Sequence, residues 1–258
     1  MSRDGCGWEI KDMARIFALC TVLLLATGCQ TTEETLKKYP VGATYKNVVF
    51  VGKKQIPLPK GEWEIFATRP TTTSNGTPLL HLVFGNKDRG ASILAIRLTA
   101  NLGSTSGYGW NQLKACSRTN MHHVYFNEGD IGDDQRCWFA NHSRMTRGSS
   151  RVSSMTMALD RAKELGIKLP VTSIYAGLRV TDKFDVIMMR VYFNPEADGF
   201  DPPQQSAWAT NDWHKDRIYT DKKKVAYVER VKNWTEEFFP KVEAGFKGKL
   251  VAAQTVPN

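Results

Sequence analysis

Between residues 40 and 100 the chain repeats one device four times: a short β-rich run closed off by a turn signal. The runs are Asn47-Val48-Val49-Phe50-Val51, Trp63-Glu64-Ile65-Phe66, Leu79-Leu80-His81-Leu82-Val83-Phe84 and Ser92-Ile93-Leu94-Ala95-Ile96-Arg97-Leu98. Gly52-Lys53, Ser74-Asn75-Gly76 and Asn86-Lys87-Asp88-Arg89-Gly90 separate them. A spacing of about 12–17 residues predicts an antiparallel meander rather than βαβ units.

The pattern continues downstream. Val124-Tyr125-Phe126 and Cys137-Trp138-Phe139 read as strands flanking an acidic loop at 128–134, and 172–180 with 185–194 is the clearest hairpin, joined by Thr181-Asp182-Lys183. One helix is expected from Ser149-Ser150, whose hydroxyls can cap it, to Gly166, with Val152, Met155, Leu159 and Ala162 facing the core. A second helix follows from Tyr227, Val231, Trp234, Phe238, Val242 and Phe246, which step by three or four along one face. Pro240 falls inside that pattern and predicts a kink or restart, because it removes a backbone donor. The fold class expected is α+β: a mainly antiparallel sheet with a middle helix and a long C-terminal helix packed on it.

The N-terminal region has a different character. Residues 16–26 are free of charge, long enough for the apolar region of a secretory signal and short of the roughly 20 residues that span a bilayer. They end in Leu23-Leu24-Leu25-Ala26-Thr27-Gly28-Cys29. This run resembles a lipobox, the processing site of bacterial lipoproteins, although Ala26 stands where Leu is more usual. The resemblance implies cleavage before Cys29, with diacylglycerol on its sulfur and an amide-linked acyl chain. Two such attachments give stable anchoring where one chain is only marginal. Gln30 follows the cysteine, and the absence of Asp there favours the outer membrane.

Asp4, Glu9 and Asp12 are acidic where a signal should be basic, whereas Met13-Ala14-Arg15 fits that role. The expected start is therefore Met13. The domain scheme is a signal over 1–28, a lipidated tether over 29–39, one domain over 40–250 and a disordered tail over 251–258. Pro57-Leu58-Pro59-Lys60-Gly61-Glu62-Trp63 pairs an extended segment, a turn at Gly61 and a large anchor at Trp63. It resembles segments of uncharacterised proteobacterial envelope proteins and carries no activity with it.

The address changes how cysteine and charge are read. Cys6 and Cys20 lie in or before the signal and Cys29 is taken by lipid, which leaves Cys116 and Cys137. In an oxidising compartment this pair reads as a disulfide. A zinc set of Cys116, His122 or His123, Cys137 and His142 is the alternative, but the spacing matches no common zinc module. The formal net charge is +9, and the signal removes equal numbers of basic and acidic groups. For an exported chain that charge points away from nucleic acid, toward lipopolysaccharide phosphates, anionic lipid or peptidoglycan carboxylates.

No His-Glu-x-x-His, Gly-x-Ser-x-Gly, Ser-x-x-Lys, Cys-x-x-Cys or phosphate loop is present in the sequence, and no cofactor is implied. Residues 194–199 begin like a calcium loop, but Gln205 stands where a bidentate Glu is required. The loop 201–217, with Trp208, Trp213, Asp212 and His214, is the expected binding region, because exposed Trp faces stack on sugar rings. The expectation is a lipid-anchored, periplasm-facing outer-membrane lipoprotein, without enzymatic activity, that binds envelope glycan or lipid or assists assembly with an envelope protein. The alternatives are a glycan hydrolase using Asp130, Asp133 or Asp134, and a docking protein using the helix at 227–246.

Overall fold

Residues 32–103, 109–129, 134–146 and 152–250 are described by the structure, a computed structural model. Cys29, the lipobox, Met13, Asp130 and Asp133 lie outside the described residues. The chain divides into two units, residues 1–38 and 39–258. In the first, the segment read as a tether contains a short helix, α1 (Thr32–Lys38), with acids in its first turn, bases in its last, and a Glu33–Lys37 pair one turn apart. That charge order complements the helix dipole. Among the described residues no helix is long and apolar enough to cross a membrane.

The second unit is built on eight antiparallel strands in the order β1-β4-β5-β6-β10-β9-β8-β7. They are β1 (Thr44–Tyr45), β4 (Trp63–Thr72), β5 (Pro78–Asn86), β6 (Ile93–Asn101), β7 (His123–Glu128), β8 (Gln135–Arg144), β9 (Thr172–Thr181) and β10 (Val186–Phe193). A separate hairpin joins β2 (Val48–Val51) to β3 (Lys54–Pro57). Two meanders, β4-β5-β6 and β8-β9-β10, meet where β6 pairs with β10. The seam joins related sequences: residues 93–101 and 186–194 both carry Arg at the fifth position and Asn at the ninth.

Alternation along each strand sorts side chains onto two faces. One face, with Ile65, Phe84, Leu98, Leu178 and Met189, packs against α3 (Lys222–Phe246) and the β2–β3 hairpin in the main core. Helix α3 approaches β3 closely, since a Cβ on Gly245 would fall 1.9 Å from the Gln55 carbonyl oxygen. Tyr227, Val231, Phe238, Val242 and Phe246 are buried as their period predicts, while Trp234 is half-buried against Phe193 and Phe238. The helix does not restart at Pro240. Pro240 is exposed, so the Glu236 carbonyl that loses its helical donor can turn to water.

The other face is covered in two places. Helix α2 (Ser154–Glu164) sits on β4 and β5 through Ala158 and Ala162 against Phe66, Ala67 and Val83. It starts later than the sequence suggested, because Ser153 and Thr156 form a reciprocal capping box. Val152 therefore precedes the helix and is 61 % exposed rather than core. The second cover is the segment before β7, whose Ala115, Cys116 and Met121 pack on Phe139 and Tyr175. Both meanders use the same fitting: Phe66 lies across Gly85 and Phe139 across Gly177, where a Cβ would sit 2.3 Å from the ring.

Cys116 and Cys137 are joined by a disulfide that ties this cover to the first half of β8. Closing a loop of about 20 residues stabilises the fold by about 3 kcal/mol on the chain-entropy account. Replacing both cysteines by Ala is expected to lower the urea midpoint accordingly. A double variant that unfolds with wild-type midpoint would show that the bond contributes nothing.

Candidate functional site

After β10 the chain enters the long loop in which binding was expected. Asn211 is fully buried and fixes the loop's middle: its amide donates to the Thr172 hydroxyl at 2.8 Å and its carbonyl accepts from the Trp213 backbone at 2.9 Å. Trp213 is 1 % exposed, enclosed by Phe200 at 5.0 Å and Tyr227 at 5.4 Å, with the Lys224 ammonium 5.5 Å from its ring. With no free ring face, Trp213 anchors the loop to α3.

Trp208, which opens a short 3-10 turn, is different. It is partly exposed, one ring face stacked on His142 at 5.0 Å and 16°, with His214 edge-on at 4.6 Å. His142 Nε2 lies 3.0 Å from the Trp208 carbonyl and His122 Nε2 lies 2.9 Å from the Trp213 carbonyl. A carbonyl can only accept, so both rings carry their proton on Nε2. Burial, reinforced by the facing His142, pushes His122 down to about 3 despite the Trp213 carbonyl. Burial likewise pushes His142 down to about 4, despite the Trp208 carbonyl. At neutral pH these are uncharged struts under the loop. Among the described residues no group of three or more His, Cys, Asp or Glu is arranged to hold a metal ion.

Beside Trp208 lies an open depression of about 690 Å³ lined by Ser117, Arg118, Thr119, Asn120 and Trp208. The disulfide at Cys116 anchors the start of its wall. Lys215 reaches from the Trp loop to the Thr119 carbonyl at 2.7 Å, so wall and loop are fastened together. The site thus offers an indole, a guanidinium, an amide and two hydroxyls. That set can stack on and hydrogen-bond a polar ring. Residues 117–120 were not singled out from sequence. Their signal was weak: four short polar and basic residues directly after a disulfide cysteine.

The other sequence candidates are dispersed. Cys116 and Cys137 bond each other and are lost to zinc. Asp198 of the calcium-like loop accepts from Ser92, Tyr227 and Arg230 at 2.5, 2.9 and 3.0 Å, while Glu196 accepts from the Val171 backbone. Asp134 faces Arg136 at 3.9 Å. His123 pairs with Glu229 of α3 at 2.9 Å. Compared with family models, curated proteins and solved structures, the chain matches none of them.

Proposed function

We propose that this chain is an envelope lipoprotein, held by lipid on Cys29 in the outer membrane and facing the periplasm, that binds glycan without turning it over. The observation that carries the binding half is Trp208, with one ring face backed by His142 and its side chain lining an open polar depression. A backed indole is held rigid, which lowers the entropy lost on stacking a sugar. Arg118 and Asn120 in the same wall supply charge and amide groups for carboxylates, phosphates and hydroxyls. The lipid address rests on the lipobox sequence. The docking-helix alternative finds less support, since the apolar stripe of α3 is buried in the main core.

The test is co-sedimentation of the purified chain with peptidoglycan sacculi and, separately, retention on lipopolysaccharide. Trp208→Ala should weaken retention about tenfold or more, as loss of a central aromatic contact does. Its melting temperature should stay close to wild type, because the neighbouring Asn211 and Trp213 still pin the loop. Equal retention by wild type and variant, or release of soluble fragments by the wild type, would sink the reading.

A further inference from the structure

The second sheet face, in the region of the β6–β10 seam and β9, carries cations where an apolar floor would be expected. Arg97 of β6 and Arg190 of β10 stand directly opposite each other across the seam. Arg179 of β9 is opposite Met188, one step diagonal to Arg190, and is 7 % exposed. In antiparallel register all three project from the same face, with about 5 Å between the Cβ atoms of the facing pair.

Like charges directly opposite destabilise a sheet, and buried charges are normally paired. Two other half-buried arginines obey this. Half-buried Arg136 reaches Glu243 at 3.2 Å, and half-buried Arg161 reaches Glu64 and Glu164. Among the described residues Arg97, Arg179 and Arg190 contact no carboxylate. The Nε of each is enclosed and has no hydrogen-bond partner. What they have instead is neutral: Arg97 is near the Tyr192 hydroxyl, Arg190 lies 5.3 Å from the centre of the Tyr175 ring, and Arg179 donates to the Asn111 carbonyl at 2.7 Å. These contacts orient the guanidiniums, and among the described residues no carboxylate offsets their charge. Burial without a counter-charge pulls Arg179 down to about 10, and burial with the neighbouring Arg190 lowers Arg97.

We propose that Arg97, Arg190 and Arg179 form a binding site for the phosphoryl group of a ligand. Three guanidiniums ask for more than one negative charge. A phosphate monoester supplies about two, on oxygens set for several forked hydrogen bonds, where a carboxylate supplies one charge on two oxygens. Arg97 and Arg190 are partly exposed, so an anion can reach them from solvent. The proposal does not depend on the glycan reading. A phosphorylated lipid headgroup and free phosphate share this chemistry.

The probe is inorganic phosphate, titrated into the full chain in detergent against chloride of equal ionic strength. Saturating phosphate should raise the melting temperature by about 5 °C or more, while chloride should not. Arg97→Met and Arg190→Met should each abolish that response and melt at or above the wild type without phosphate, because each removes repulsion. A merely structural arginine would melt lower on removal. Arg97→Lys and Arg190→Lys keep the charge but lose the fork, and should weaken phosphate about tenfold even if the Met variants fail to fold. Glycerol 1-phosphate binding tighter than phosphate assigns the site to a headgroup; equal binding assigns it to the free ion. Acetate binding as tightly as phosphate, a wild type indifferent to phosphate, or Met and Lys variants with an undiminished response would each overturn the proposal.

Discussion

Replacing Asp185 by Ala is expected to destabilise the domain by about 3–5 kcal/mol, because it strands a buried cation. Asp185 sits at the turn into β10 and accepts from Lys54 Nζ at 2.7 Å and from the Asn101 amide at 3.0 Å, with Lys53 at 3.1 Å. Lys54 comes from β3 and is 2 % exposed. One carboxylate therefore fastens the β2–β3 hairpin to the ends of β6 and β10. Burial alone would raise its pKa, yet the bonds from Lys54, Lys53 and Asn101 outweigh burial and hold it below the usual carboxylate range. Its stabilisation is present above the unfolded carboxylate pKa and is lost as pH falls through the lower folded value. Urea unfolding of Asp185→Ala at pH 7 measures the loss. Lys53 is exposed, so Lys53→Ala should change stability by only about 0.5 kcal/mol. Lys54→Met in the Asp185→Ala background should restore much of the loss. A single Asp185→Ala variant within about 1 kcal/mol of wild type would contradict the stranded-charge account.

The sequence showed what local pattern and composition determine. Eight of the strands announced themselves as β-branched and aromatic runs between turn residues, and the α3 stripe followed from its period. The cysteine pairing emerged once Cys29 was assigned to lipid. Strand β3 escaped because Lys54 and Pro57 break its apolar pattern, and only the distant Asp185 makes a buried Lys54 tolerable. The β6–β10 seam joins segments about 90 residues apart and depends on contacts no local window contains. Trp208 and Trp213 looked alike in sequence; Asn211 and Tyr227, brought in by tertiary packing, bury one and leave the other open. The three arginines were visible, each inside an apolar run. Their shared face appears only with the register, and with it the charge that lacks a partner.

Acid is expected to unfold this protein well before its carboxylates titrate, and the histidines are the reason. His122 is pushed down to about 3 and His142 to about 4, both chiefly by burial. His81, bonded to the hydroxyls of Thr71 and Thr99, is pushed down to about 4 by burial and then by Arg97 and Arg69. In the unfolded chain each takes up a proton near pH 6.5, and the folded protein refuses it until pH 3–4. The sign follows directly: stability is full above pH 6.5 and falls with every step below it. The cost is up to about 1.4 kcal/mol per pH unit for each histidine. Each ring loses about 2.5 kcal/mol between pH 7 and pH 4.5, so three rings, with His81 discounted for solvent, lose about 6 kcal/mol. Urea midpoints across that range measure it, and a flat profile would refute it. His142→Asn should reduce the slope by about one third if the three rings contribute equally, with tryptophan fluorescence reporting release of the loop around Trp208. His81 adds a discriminating check, because Arg97 and Arg69 repel its proton. Phosphate bound at Arg97 would offset that repulsion, so acid tolerance should rise with phosphate in the wild type and stay unchanged in Arg97→Met.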